Sequence, residues 1–129
     1  MGYSKKRNLI SKILTKWGSD SSPYLLYIFH NDGTRHYKIG ITKDLLKRYT
    51  QSKTFVSGGL EIVKIFPCDF ESQARYCERV LHKYFKAQKT VKEEPRHEWY
   101  ELTKADIQKL VSLETKKDFI NFIKSIDIQ

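Results

Sequence analysis

The sequence predicts an α+β fold, a small three-stranded antiparallel sheet flanked by helices, on three observations. Two short aromatic and aliphatic runs, Tyr24 to Phe29 and His36 to Ile41, are separated by Asn31-Asp32-Gly33-Thr34, which supplies residues that tolerate positive φ in a hairpin turn. Apolar residues then recur at helical spacing on either side of a third strand-like run. Two Thr-x-x-Asp starts near the C-terminus precede further helical periodicity. The resulting order, β-β-α-β-α followed by helices, is an α+β layout.

Residues 5–17 put Leu9, Ile10, Ile13, Leu14 and Trp17 at helical spacing, with Gly18 as the stop. Lys5, Lys6, Arg7, Lys12 and Lys16 lie opposite, and no acid precedes Asp20. Such a helix either packs its apolar stripe on the domain with its charges solvated, or follows a phosphate backbone or an anionic membrane surface. Ser19 to Pro23 reads as a linker into the first strand. After the hairpin, Thr42 is suited to cap a helix reaching Gln51, with Leu45, Leu46 and Tyr49 inward. Gly58-Gly59 breaks the chain, and Leu60 to Phe66 alternates as a third strand. Asp69 or Ser72 opens a helix to about Phe85, in which Ala74, Cys77, Val80, Leu81, Tyr84 and Phe85 form one apolar stripe. Arg75, Arg79, Lys83 and Lys86 form its basic side. Thr103-x-x-Asp106 and Thr115-x-x-Asp118 open the two final helices. The expected organisation is one domain over residues 1–129, with a core of about 24–102 and helical extensions at 1–22 and 103–129.

A chain of 129 residues is the size of one domain and can bury a working core. Its formal net charge of +9 favours a polyanionic partner, whose neutralised phosphates release condensed counterions. Charge speaks to attraction and not to chemistry. Cys68 and Cys77 are too few for a zinc site, and Cys77 falls on an apolar stripe as small core filler. Reduced thiols fit an intracellular protein, in the cytoplasm or in the nucleus of a eukaryotic or virus-infected host. Lys12 and Lys16 interrupt any signal-peptide-like run, and no segment is suited to span a membrane.

Certain short motifs occur in an informative order. Leu25-Leu26-Tyr27 is followed by Lys38-Ile39-Gly40, then by Arg48 eight residues beyond the glycine, then by Glu78-Arg79-Val80-Leu81-His82. Together they resemble the GIY-YIG nuclease superfamily, in which two strand motifs, an arginine and a metal-binding glutamate form one phosphodiesterase site. The resemblance spans roughly residues 24–102. Lys38 stands in the slot of the second-motif tyrosine, eleven residues from Tyr27 as the family pattern expects. The phage-encoded branch commonly reads Tyr-Lys-Ile-Gly here, and often has a Glu-Trp-aromatic run like that of Glu98-Trp99-Tyr100. Period-2 alternation sends the adjacent Tyr37 to the other sheet face, so it does not replace the missing tyrosine. Many relatives carry a histidine one turn after the arginine, a position held here by about Ser52.

The resemblance implies a catalytic set of Tyr27, Lys38, Arg48, Glu78 and His82, with Lys43, Lys47, Arg75 and Arg79 binding nucleic acid. Each residue also has an ordinary structural role. Tyr27 is either a core tyrosine or the phenol that takes a proton from water. The Lys38 ammonium either lowers the Tyr27 pKa or, desolvated, is itself the base; otherwise it is an exposed strand lysine. Arg48 either offers paired donors to a phosphate or pairs with Asp44 one turn earlier. Glu78 sits at the edge of its helix's apolar stripe, where it either binds Mg²⁺ (or Mn²⁺) or pairs with Arg75 or His82. Trp99 and Tyr100 are expected as core anchors rather than base-stacking platforms.

The expected function is metal-dependent endonucleolytic hydrolysis of nucleic acid, DNA more than RNA, with low sequence specificity or specificity supplied by a partner or a second subunit in a homodimer. The resemblance implies products with a 5′-phosphate and a 3′-hydroxyl. Two other readings stand beside it. One is a nucleic-acid-binding module that keeps the fold without catalysis; the other is a membrane-surface or partner-binding protein acting through the N-terminal helix.

Overall fold

Asn31 and Thr34 close the hairpin on which the sheet is built. In the computed structural model, which describes residues 24–54, 56, 58–86 and 99–127, the Thr34 amide donates to the Asn31 carbonyl at 3.1 Å. Gly33 takes φ +80°, the left-handed region in which a Cβ is strained. The hairpin strands β1 (Tyr24–Asn31) and β2 (His36–Thr42) are antiparallel, with Tyr27 opposite Gly40 and Phe29 opposite Lys38. β3 (Leu60–Cys68) pairs with the other edge of β1 and places Ile65 opposite Tyr27.

The expected three strands are corrected to four. Trp99–Glu101 forms β4, which pairs antiparallel with His36, Tyr37 and Lys38, and the sheet order is β3-β1-β2-β4. Three residues are too few for alternation to register in sequence, and their partner strand lies far earlier in the chain. Trp99 and Tyr100 are both buried, as core anchors should be, and they face opposite sides of the sheet.

Helices cover both faces. α1 (Leu45–Lys53) closes over Leu25, Tyr27, Phe29 and Ile65. α2 (Glu71–Lys86), α3 (Lys104–Val111) and α4 (Lys116–Asp127) close over Leu26, Ile28, Ile39 and Phe66. Because β1 is central and covered on both sides, its run Leu25 to Phe29 is buried throughout, with no polar alternation. The α2 stripe of Ala74, Cys77, Val80, Leu81 and Phe85 is buried as its spacing predicts. Leu110, Leu113, Phe119, Ile123 and Ile126 enter that same core, and the Phe119 ring stacks on Phe66 at 4.1 Å. Both C-terminal helices thus pack into this core.

The caps are local and partly differ from expectation. α1 is capped by Asp44, whose carboxylate accepts the Lys47 amide at 3.1 Å; Thr42 ends β2 and its hydroxyl receives the Asp44 amide at 3.0 Å. The helix begins at Leu45, so only its immediate predecessor can cap it. At α2 neither Asp69 nor Ser72 caps; Gln73 reaches back to the Asp69 amide at 2.8 Å, and the Asp69 carboxylate pairs with Lys116. Thr103 and Asp106 form the expected capping box, and the Thr115 hydroxyl accepts the Asp118 amide. The helix expected over residues 5–17, its linker, His97 and Glu98 lie outside the described residues. No helix among the described residues is long and apolar enough to cross a membrane.

Candidate active site

β4 pairs only with His36–Lys38, so the rest of β2, from Ile39 to Thr42, has no strand partner on that side among the described residues. A cleft of about 530 Å³ opens against this stretch. Its lining comes from both sides of the sheet: Tyr24 and Tyr27 from β1, Gly40 to Thr42 from β2, Lys43 and Asp44 before α1, Lys47, Arg48 and Gln51 on α1, and Arg75 and Glu78 on α2.

Tyr27 reaches the cleft because Gly40 has no side chain. The Tyr27 ring is 1% exposed, stacks on Phe29 at 4.2 Å, and lies over the Gly40 backbone so closely that a Cβ there would be 2.6 Å from its Cζ. The hydroxyl end of an otherwise buried phenol thus lines the cleft.

Arg48 is on the side of α1 that turns toward the cleft. Asp44, its expected ion-pair partner, directs its carboxylate at the Lys47 amide, and no Asp44–Arg48 ion pair occurs among the described residues. Glu78 enters from α2, half-buried at the rim of the apolar stripe. The lining carries four cations, Lys43, Lys47, Arg48 and Arg75, against the carboxylates of Asp44 and Glu78. Such a cleft attracts an anion and focuses field lines on it.

The structure therefore gathers Tyr27, Arg48 and Glu78, with Lys43, Lys47 and Arg75 around them. Lys38, His82 and Arg79 do not line the cleft. Lys38 projects to the α1 side of the sheet, where its ammonium donates to the Ser52 hydroxyl at 3.2 Å. His82 packs between α2 and β2 and its Nε2 donates to the Ile39 carbonyl at 2.7 Å, one residue beyond the β2–β4 pairing. A carbonyl only accepts, so Nε2 carries the proton. The exposed Arg79 guanidinium lies 5.7 Å from the Tyr76 ring centre.

Tyr24 is one of the cleft residues that the sequence did not reveal. It is three positions from Tyr27, so alternation puts the two tyrosines on opposite faces, and they do pack against different core clusters. Both reach one cleft because it extends across the sheet at the open part of β2. Lys43 Nζ lies 5.5 Å from the Tyr24 ring centre, and the Tyr24 hydroxyl is close enough to Glu71 to favour its ionised form. The Arg75 guanidinium, followed by that hydroxyl, holds the Glu71 carboxyl below its usual range.

For a metal, Glu78 is the one lining carboxylate not engaged at a helix cap. No cluster of three or more His, Cys, Asp or Glu ligands occurs among the described residues. This donor set suits a hard cation that keeps most of its waters, and does not suit zinc. Cys68 and Cys77 are buried together in the core behind α2; their mutual hydrogen bond and burial push the Cys68 thiol up, so it stays protonated.

Comparison with known proteins adds a family. No curated protein and no solved structure matches the chain. The family described as the T5orf172 domain matches residues 24–115, a span that holds all four strands and every residue of the cleft lining. The chain belongs to the T5orf172 domain family.

Proposed function

We propose that the cleft binds the phosphate backbone of nucleic acid, DNA in preference to RNA, and hydrolyses a phosphodiester bond as a GIY-YIG-type endonuclease. The observation that carries the reading is the convergence of a phenol, a guanidinium and a carboxylate, from three separate elements, in one basic cleft. Membership of the T5orf172 family, a phage-associated domain of GIY-YIG-like nuclease context, supports it.

Each residue has a defined task. Lys43, Lys47 and Arg75 neutralise phosphates and set the strand in the cleft. The Tyr27 hydroxyl, ionised, accepts a proton from the attacking water as the new P–O bond forms. Arg48 donates to the non-bridging phosphate oxygens, which gain charge as the reaction proceeds. The leaving 3′ oxygen departs and takes up a proton from solvent, which leaves a 5′-phosphate and a 3′-hydroxyl. Glu78 would hold Mg²⁺ or Mn²⁺, which when bound supplies positive charge for the phosphate and the leaving oxygen.

A second reading, nucleic-acid binding without hydrolysis, draws on one observation: the Lys38 ammonium is bonded to Ser52 and is not part of the cleft lining. Incubation of the protein with plasmid and single-stranded DNA, in Mg²⁺, Mn²⁺ or EDTA, separates the two. The hydrolase reading expects metal-dependent nicks, lost on Glu78→Ala while DNA binding and folding persist. The carboxylate sits at the rim of the core, so its removal relieves a desolvation cost and does not open a cavity. Undiminished cleavage by Glu78→Ala would remove Glu78 from the mechanism, and binding without any cleavage by the wild type would leave the binding-module reading.

A further inference from the structure

Glu71, the first residue of α2, does not line the cleft but pairs with Arg75, which does. Arg75 Nε donates to Glu71 Oε2 at 2.8 Å, and Arg75 Nη2 meets the same oxygen at 2.7 Å. The nearby Tyr24 hydroxyl also favours the ionised Glu71 carboxylate, after Arg75. Tyr24 and Arg75 both line the cleft; Glu71 does not. A helical Glu–Arg pair one turn apart is common and stabilises a helix only slightly. Here the pair stands at the cleft edge beside Tyr24 of β1, so the carboxylate holds Arg75 where the sheet and α2 meet the cleft. The pairing uses one edge of the guanidinium and leaves Nη1 with no partner among the described residues. A planar fork held along one edge presents the other in a fixed direction.

We propose that Glu71 is a positioning residue: with Tyr24 it holds Arg75 as a second, α2-borne contact for the nucleic-acid backbone, opposite the Arg48 contact borne by α1. This inference rests on the nucleic-acid reading of the cleft and gives Tyr24 and Glu71 tasks within it. The clamp engages two phosphate positions of the strand, from the two helices that flank it, so binding needs a continuous backbone rather than an isolated phosphate.

The sign of a single substitution tests it. Glu71 is a negative charge beside a polyanion site, so by charge alone Glu71→Gln tightens DNA binding. As a positioning residue it does the reverse. Binding of a fluorescent DNA duplex in EDTA should weaken about fivefold in Glu71→Gln, the scale of one ordinary hydrogen-bonded contact. The slope of log K against log salt should shrink by about 0.9, one phosphate contact. In an Arg75→Gln background the same Glu71→Gln change should leave binding unchanged or tighter, because no guanidinium remains to be held. A purely structural role for Glu71 predicts instead the same loss in both backgrounds, and Tyr24→Phe, which removes the neighbouring hydroxyl, should give a smaller loss in the Arg75 background only. Unchanged or tighter binding by Glu71→Gln alone, with the wild type binding normally, overturns the clamp and leaves the nuclease reading intact. Failure of the wild type to bind DNA at all overturns both.

Discussion

Gly40 is the position at which a missing side chain matters most. Tyr27 cannot retreat, because its ring is 1% exposed and stacked on Phe29. A Cβ at residue 40 would lie 2.6 Å from Tyr27 Cζ and closer still to the hydroxyl, so Gly40→Ala must displace either the ring or the strand. The expected loss of stability is about 1–3 kcal/mol, the usual cost of overpacking. Cleavage should fall further than DNA binding does, since the three nearest atoms that a Cβ at residue 40 would meet all belong to Tyr27 and none to a cleft cation. Urea unfolding with a parallel plasmid-nicking assay checks both, and wild-type stability would show that the ring is not confined as described. Lys38 carries the other residue-scale question. Its bond to Ser52 holds the ammonium beside, not within, the cleft, which suits an electrostatic effect on the Tyr27 phenol better than proton abstraction. On that basis Lys38→Met should move the pH–rate profile to higher pH and recover activity there, because removal of a nearby cation raises the phenol pKa. Tyr27→Phe should be inactive at every pH. The opposite pattern, partial activity in Tyr27→Phe and none in Lys38→Met, would make Lys38 the base.

Among the elements, α3 shows how local the helix signals are. The Thr103 hydroxyl accepts the Asp106 amide at 3.1 Å and the Asp106 carboxylate accepts the Thr103 amide at 3.0 Å. Thr103→Ala should lower stability by about 1 kcal/mol and leave cleavage at room temperature unchanged, since α3 lies away from the cleft lining. Thermal unfolding and a nicking assay on that variant test the two halves separately. The hairpin and the caps at Thr103 and Thr115 were legible in sequence for one reason: each depends on residues within three positions of one another. β4 was not, because a three-residue strand is defined by its partner and not by its own pattern. The α1 cap was misread by two residues, since Thr42 and Asp44 are both good caps and only the true start of the helix chooses between them. In the site, Tyr27, Arg48 and Glu78 were picked out by motif order, because alternation and periodicity alone allow each an ordinary structural role. Tyr24 was hidden by alternation itself, and Glu71 by its likeness to any surface ion pair.

At the scale of the whole molecule the excess charge has a place to act. Of the formal +9, four cations line one cleft and only Asp44 and Glu78 oppose them there, with Asp44 committed to the cap of α1. If Lys43, Lys47, Arg48 and Arg75 each neutralise one phosphate, log K against log salt should fall linearly with a slope of about −3.5 on duplex DNA. The slope should hardly change with sequence, because backbone contacts carry no base information. A steeper slope means that cations outside the cleft also touch the backbone. Residues 1–17, with Lys5, Lys6, Arg7, Lys12 and Lys16 and no acid, are the richest source of these. Deleting them should then bring the slope back to about −3.5 with little change in the rate of cleavage at saturating DNA. An identical slope before and after the deletion would confine the electrostatic contact to the cleft. A slope near zero in the full chain would mean that the charge serves something other than phosphate binding, and would remove the ground on which the cleft is read as a nucleic-acid site.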